Sequence, residues 1–335
     1  MVQFGMCGCG QFIEKAVLPS LKNVTDAGVV AAFDTSIERL GRVCGEFGID
    51  QACNSFEDLL KCDEIDAIYI ASPNVMHKAQ TIASAKAGKH VFCQKPLGMN
   101  VTECREMLDV CRDNGVSLGV GFCYRFGGAQ CAVKQIINDG IIGEVSYLHF
   151  SFNLGGFNKE TAGWRCDPKM SGGGPLMDIA PHLIDLACFL LDTTVESVIA
   201  YVDPFPNETE VETDVLALLK LANGAGVSID TSFKRNNTHS YVAVGSNGEL
   251  RASGTMPWRT EGKRVGSLVL QSGVKEQELP FSNEEHMELE MRSFCQAVDS
   301  GVVPSVPGEA GLHVQAVIDA IYESSRTEKR CEIRC

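Results

Sequence analysis

The stretch VQFGMCGCGQFIEKAVLPSL (residues 2–21) decides the fold. Residues 2–5 form a short apolar run that reads as a buried strand. Gly8-Cys9-Gly10-Gln11-Phe12 follows, and a helical spacing of apolar residues then continues to Leu21. Strand, glycine turn, helix is the order in which a G-x-G pair has physical meaning. The first glycine allows a tight turn, and the second lets the backbone approach a pyrophosphate lying at the N-terminus of the helix. The position usually held by a third small residue is Ile13, so the pattern is incomplete and depends on its neighbours for support.

Those neighbours continue the rhythm. A second strand, 29–33, ends in Asp34, about twenty residues beyond the glycines. A carboxylate there accepts hydrogen bonds from adenosine ribose hydroxyls and repels a 2′-phosphate, which favours NAD over NADP. The structural alternative is a strand-end aspartate capping the next helix. A short helix over 55–60 precedes the wholly apolar strand 67–71, whose carboxyl end carries Ser72-Pro73-Asn74. His77 opens a helix that Gly88 stops. The strand 90–93 runs into Gln94-Lys95-Pro96, a helix follows over 101–114, and a strand over 116–121. Strands alternating with helices predict a doubly wound parallel sheet, with ligands at the strands' carboxyl ends. This gives an α/β chain with a dinucleotide-binding domain over 1–121. A second domain, for substrate binding and oligomerisation, covers 122–335.

Composition narrows the class. The 335 residues are 44% hydrophobic and 21% charged, as in soluble globular proteins of about two domains. A net charge of −14 argues against nucleic acid or an anionic membrane surface as partner. No apolar run reaches the ~18 residues of a membrane helix, and the N-terminus lacks a basic start and apolar signal region. Fifteen cysteines are scattered without a C-x-x-C pair. This predicts free thiols in a reducing cytoplasm, with Cys331 and Cys335 the most exposed.

After 121 the pattern changes. A helix over 129–139 precedes strands at 144–153, 195–202, 213–221, 225–232, 238–245, 249–253 and 267–271. Asn223-Gly224 and Asn247-Gly248 are hairpin signals between them. Strands without intervening helices predict a large, mostly antiparallel sheet. Helices are expected over 284–300 and 308–325. Within this half, SGGGPLMDIAPHLIDLACFLL (residues 171–191) places three glycines before an apolar helix. The glycines would permit left-handed angles and close approach to a ligand. Asp178, His182 and Asp185, at i, i+4 and i+7, would share one face of that helix, with Pro181 bending it just before His182. Such a buried polar face is either a hydrogen-bonded core pair or a proton-transfer site. The segment 154–171, with Trp164 and Arg165, reads as a loop that closes over cofactor or substrate, or else as an anchored loop.

Several segments together resemble the Gfo/Idh/MocA family, that of glucose-fructose oxidoreductase and inositol dehydrogenase. They are GCG near the start, IDAIYIASPNVMH (65–77), AGKHVFCQKPLGMN (87–100), YRF (124–126), GEV (143–145) and GGGPLMDIAPHLID (172–185). The resemblance implies a Rossmann domain followed by an α/β domain whose open sheet makes dimer or tetramer contacts. It implies NAD or NADP, a sugar, inositol or other polyol as substrate, and an acid/base set at Lys95, Asp178 and His182. Relatives often show a cis bond at the position of Lys95–Pro96. The family's Glu-Lys-Pro is Gln-Lys-Pro here. Gln94 removes a negative charge, which should make the Lys95 ammonium less favoured.

These readings give hydride transfer between a secondary alcohol and a nicotinamide, with oxidation at C3 of a glucoside as one specific instance. His182 would take the hydroxyl proton, with Asp178 orienting it. Lys95 would stabilise developing negative charge on oxygen. The cofactor would contact Gly8, Cys9, Gly10, Gln11, Phe12, Asp34, Ser72, Pro73, Asn74, His77, Gln94, Lys95, Arg125, Trp164 and Arg165. Substrate would meet Lys95, Tyr124, Asp178 and His182. Two alternatives stand beside this: a non-catalytic dinucleotide-binding sensor, and a metal site at Asp178, His182 and Asp185. The second is weakened because the remaining histidines offer no ligand pair.

Overall fold

The structure is a computed structural model that describes residues 1–157, 159–203, 210–254 and 266–334. The chain divides into two compact units, and the division does not fall at a single cut. One unit takes Met1–Cys123 and Glu285–Leu312, and the other takes Tyr124–Glu284 and His313–Cys335. The helix His286–Ser300 therefore belongs with the first unit, although it follows the antiparallel strands in sequence. Its apolar face explains this. Met291, Phe294 and Cys295 are buried in one cluster with Phe4, Tyr69 and Phe92, and the Phe294 ring meets Phe92 edge-on at 5.1 Å.

The first unit is built on six parallel strands in the order β3-β2-β1-β4-β5-β6. They are β1 (Val2–Cys7), β2 (Ala27–Phe33), β3 (Gln51–Cys53), β4 (Ala67–Ile70), β5 (His90–Gln94) and β6 (Leu118–Gly121). β4 and β6 are wholly buried, which is why they read as continuous apolar runs. The order reverses beside β1, so the carboxyl ends of β1 and β4 flank the switch point where doubly wound sheets bind ligands.

The second unit carries a nine-stranded sheet ordered β14-β13-β12-β11-β7-β10-β9-β8-β15. Its strands are β7 (Val145–Asn153), β8 (Val195–Val202), β9 (Asp214–Leu221), β10 (Gly226–Ser232), β11 (Thr238–Gly245), β12 (Glu249–Ser253), β13 (Ser267–Ser272), β14 (Lys275–Glu278) and β15 (Cys331–Glu332). All neighbours are antiparallel except β7 and β10. Period-two alternation is plain in β9, where Val215, Ala217, Leu219 and Leu221 are buried while Leu216 and Leu218 are half exposed.

The segment that follows Ser171 differs from the single bent helix expected. It forms two helices, Pro175–Asp178 and Ala180–Leu191, broken at Ile179. The break falls earlier than expected because Pro181 lies in the first turn of the second helix, where its missing N–H costs nothing. The glycines also serve a purpose other than ligand approach. Gly172 takes a left-handed φ of 81°. A Cβ at Gly173 would overlap the Tyr322 hydroxyl, and one at Gly174 the Glu212 carbonyl oxygen. What approaches them is Glu212, a buried carboxylate. Its Oε1 accepts from the N–H of Gly174 at 2.8 Å, the N–H of Leu176 at 3.2 Å and the Tyr322 hydroxyl at 2.9 Å.

Burial raises the Glu212 carboxyl above its ordinary value, against the pull of those three donors. The folded chain thus holds this proton where the unfolded chain has released it. The stabilisation is complete below the ordinary value of 4.5 and is lost as pH rises through the folded value. Glu212→Gln keeps the acceptor and removes the ionisation, so its stability should gain on the parent's between acidic and neutral pH, read by urea unfolding at both. Gly174→Ala should cost about 1–3 kcal/mol at either pH, because the obstruction is backbone. A constant gap between Glu212→Gln and the parent, or a neutral Gly174→Ala, would contradict this arrangement.

Candidate active site

In the first unit the two glycines do different work. Gly8 has φ of 94°, and a Cβ there would stand 2.9 Å from the Ala71 backbone, so the turn can form only against the end of β4 with glycine. At Gly10 a Cβ would meet nothing within 4 Å. That open side, ahead of the helical segments Ile13–Val17 and Leu18–Leu21, suits a pyrophosphate approaching backbone. Gln11 is exposed and Phe12 half-buried.

Asp34 is anchored to this turn. Its carboxylate accepts from the N–H groups of Cys9 at 2.7 Å and Ser36 at 2.8 Å. Arg39 adds a bidentate pair at 3.0 and 2.6 Å. Burial would raise the Asp34 carboxyl, but the Arg39 guanidinium and the two N–H groups hold it below its ordinary value. Asp34 sits at the end of β2 beside the glycines and takes the Ser36 N–H, while the cap of the following helix is Ser36, whose Oγ accepts from the Arg39 N–H. Arg39 carries no motif. Its only sequence signal is its place in the first turn of the helix Ile37–Phe47, close behind Asp34.

The carboxyl ends of β4 and β5 carry the remaining candidates of this unit. The Ser72 hydroxyl donates to Gln80 Oε1 at 2.6 Å, and Pro73 precedes a 3₁₀ turn, Asn74–Met76, in which Asn74 is buried. His77 is also buried and meets backbone carbonyls through both ring nitrogens. Gln94 donates from Nε2 to the Tyr69 hydroxyl at 2.7 Å. The Lys95–Pro96 bond is cis.

In the second unit His182 is 6% exposed, and its ring stacks on Tyr124 with centroids 4.5 Å apart and planes 12° from parallel. His239 meets the Tyr124 ring edge-on at 5.8 Å and Phe152 at 5.0 Å. Tyr124 is thus a buried support for the imidazole. Asp178 ends the helix before the break, with Arg165 Nε 3.8 Å from its Oδ1. Arg165 also lies over the Trp164 ring at 4.7 Å, which ties the preceding loop to Asp178.

Asp185 does not join Asp178 and His182. It is fully buried and forms a bidentate pair with Arg125 at 2.9 and 2.5 Å. Burial raises its carboxyl, against the pull of the guanidinium. This pair leaves the metal reading without its third ligand, and it gives Arg125 a partner in the core of the unit. Among the described residues no group of three or more His, Cys, Asp or Glu is placed to hold a metal ion. The described cysteines are free; Cys131 is the exposed one, Cys331 is half-buried, and Cys335 lies outside the described residues.

Known proteins supply the context for this geometry. Residues 2–122 match the model of an oxidoreductase family with an NAD-binding Rossmann fold, and residues 131–251 match the GFO/IDH/MocA C-terminal domain. The chain is 29% identical over 335 residues to 1,5-anhydro-D-fructose reductase of Ensifer adhaerens, covering 99% of both chains. It is 29% identical over 334 residues to D-xylose 1-dehydrogenase (NADP(+)) 2 of Haloferax volcanii, covering 99% of this chain and 100% of that one. Its fold matches aldose-aldose oxidoreductase from Caulobacter crescentus with a TM-score of 0.91, at 22% identity and 99% coverage of both chains. With a glycine-turn cradle on one unit and a buried imidazole on the other, matched in order by both domain models, the chain belongs to the Gfo/Idh/MocA family of NAD(P)-binding oxidoreductases.

Proposed function

We propose that this protein transfers hydride between a nicotinamide dinucleotide and a secondary alcohol of a neutral sugar, glycoside or inositol. The observation that carries the reading is the fixed imidazole: His182, stacked on Tyr124 one turn beyond Asp178, in a chain whose other unit is a dinucleotide cradle. The dinucleotide supplies the carbon that accepts or returns hydride. Gly8 and Gly10 would hold its pyrophosphate, with Gln11 and Phe12 at the rim and Ser72, Pro73 and Asn74 lining the sheet's carboxyl edge.

A carbinol releases hydride readily only as its hydroxyl proton departs. A neutral imidazole is matched to take that proton near neutral pH. His182 is the base, Asp178 orients the ring or the substrate hydroxyl, and the Lys95 ammonium stabilises charge building on oxygen. Arg165, beside Asp178, fixes that carboxylate. NAD is the proposed cofactor because Asp34 accepts from ribose hydroxyls. Its pairing with Arg39 tempers the repulsion of a 2′-phosphate, which supports a preference rather than strict exclusion of NADP. The free thiols favour a reducing, cytoplasmic setting.

Turnover read by the NADH absorbance band, across monosaccharides, inositols and glycosides, tests the reading. Lys95→Ala and His182→Ala should each lose about 10²–10⁴-fold in kcat, with NAD affinity kept. Gln94→Glu, which adds a carboxylate beside Lys95, should shift the upper limb of the pH–rate profile to higher pH. Near-parent turnover in both alanine variants would reject the roles, and NAD binding without reduction by any sugar would favour the sensor reading.

Self-association follows from the second unit's sheet. Ile199 and Tyr201 on β8 and Leu216 and Leu218 on β9 are each about half exposed, side by side on one face. An apolar patch of this kind is best covered by a second copy, giving a homodimer or homotetramer. Light scattering should give a multiple of the chain mass for the parent and the monomer mass for Leu218→Asp. A monomeric parent would contradict the assignment.

A further inference from the structure

His77 opens the helix His77–Lys86 and is 1% exposed. Its Nδ1 lies 2.9 Å from the Pro96 carbonyl oxygen and its Nε2 3.0 Å from the Ser72 carbonyl oxygen. Ser72 leads the turn after β4, and Pro96 follows Lys95 after β5. One ring therefore bridges the cofactor-side turn and the lysine turn.

The chemistry of the partners makes this bridge unusual. Both are carbonyls, which only accept, and a neutral imidazole has one N–H. The neutral ring can hold either turn but not both, whereas an imidazolium holds both. Burial lowers the affinity of the ring for a second proton, against the pull of the Pro96, Ser72 and Leu97 backbone, and the charge of Lys95 lowers it further. Lys78, next on the same helix, pairs at 2.7 Å with Glu106 of the helix Val101–Asp113. Glu103 of that helix accepts the Met99 N–H at 3.1 Å. From the β4 side comes the uncharged Ser72, whose hydroxyl donates to Gln80 on the same helix as His77.

We propose that His77 is a positioning residue whose single ring proton is shared between the two turns. The Nδ1–H form steadies the turn that presents Lys95, and the Nε2–H form steadies the turn that lines the cofactor. This rests on the hydride-transfer reading for the roles of those turns. The proton sharing itself does not, because it follows from the two carbonyls.

Two conservative variants separate the tethers. An Asn amide nitrogen stands near the position of Nδ1, and a Gln amide nitrogen reaches that of Nε2. His77→Asn should bind NAD about tenfold more weakly, the loss falling on affinity far more than on kcat. His77→Gln should bind NAD like the parent and lose about tenfold in kcat, the order of one hydrogen bond in each case. A merely structural histidine would lower both quantities in both variants, and that result, or two variants indistinguishable from the parent, overturns the proposal. Nitrogen NMR of ¹⁵N-histidine protein, with His77 assigned by the Asn variant, reads the ring without turnover. Intermediate shifts at both nitrogens are expected at neutral pH, and one pure tautomer or a stable imidazolium overturns the sharing. If no sugar reduces NAD, the spectrum and the NAD affinities still decide the matter, so failure of the hydride-transfer reading stays distinct from failure of this one.

Discussion

A buried carboxylate beneath three glycines fixes the start of the helix pair that carries His182. Glu212 satisfies N–H groups at the start of the helix Pro175–Asp178 that no helical carbonyl can reach. A hydrogen bond of this kind is worth roughly 0.5–1.5 kcal/mol net, and leaving such a donor buried and unpaired costs about 1–3 kcal/mol. The contact needs backbone without side chains at Gly173 and Gly174. Once that helix start is fixed, the break at Ile179 sets the direction of the helix Ala180–Leu191, and with it the direction of His182. Tyr124 completes the placement from the face of the ring. The imidazole therefore owes its position to contacts drawn from three distant parts of the chain.

Local pattern carried far into the fold. The order strand, glycine turn, helix and the apolar runs at the first unit's strands were enough for a parallel sheet, because a strand buried on both faces has no polar alternation to obscure it. Asn223-Gly224 and Asn247-Gly248 marked the hairpins joining β9 to β10 and β11 to β12. The short edge strands β3, β14 and β15 escaped notice. They are mostly exposed, and their pairing comes from backbone geometry rather than from side-chain period. The return of the helix His286–Ser300 to the first unit was also illegible, since an amphipathic face states that it must be covered but not by what.

Candidate site residues were legible as residue types, and their partners were not. Asp34 reads as a ribose-binding acid, yet Arg39 lies on its carboxylate and changes its electrostatic meaning. Asp185 shares spacing with Asp178 and His182, yet it belongs to Arg125, sixty residues away. Pairings of this kind are set by tertiary packing and leave no spacing to read. Gln94 shows the same limit: the loss of charge is visible in the sequence, but the Tyr69 hydroxyl that takes the amide is not. Gly173 and Gly174 also leave room for Tyr322 and Glu212, which no local pattern discloses, because absence of a side chain does not say what fills the space.

Hydride transfer from a sugar carbinol carbon to a nicotinamide is the reaction proposed for this chain. A glycoside carrying deuterium in place of the carbinol hydrogen tests it most directly, by mass spectrometry of the recovered dinucleotide. One deuterium is expected in the reduced dinucleotide with the parent protein and almost none with His182→Ala. Reduction without deuterium transfer, or equal transfer by the His182→Ala variant, would contradict it.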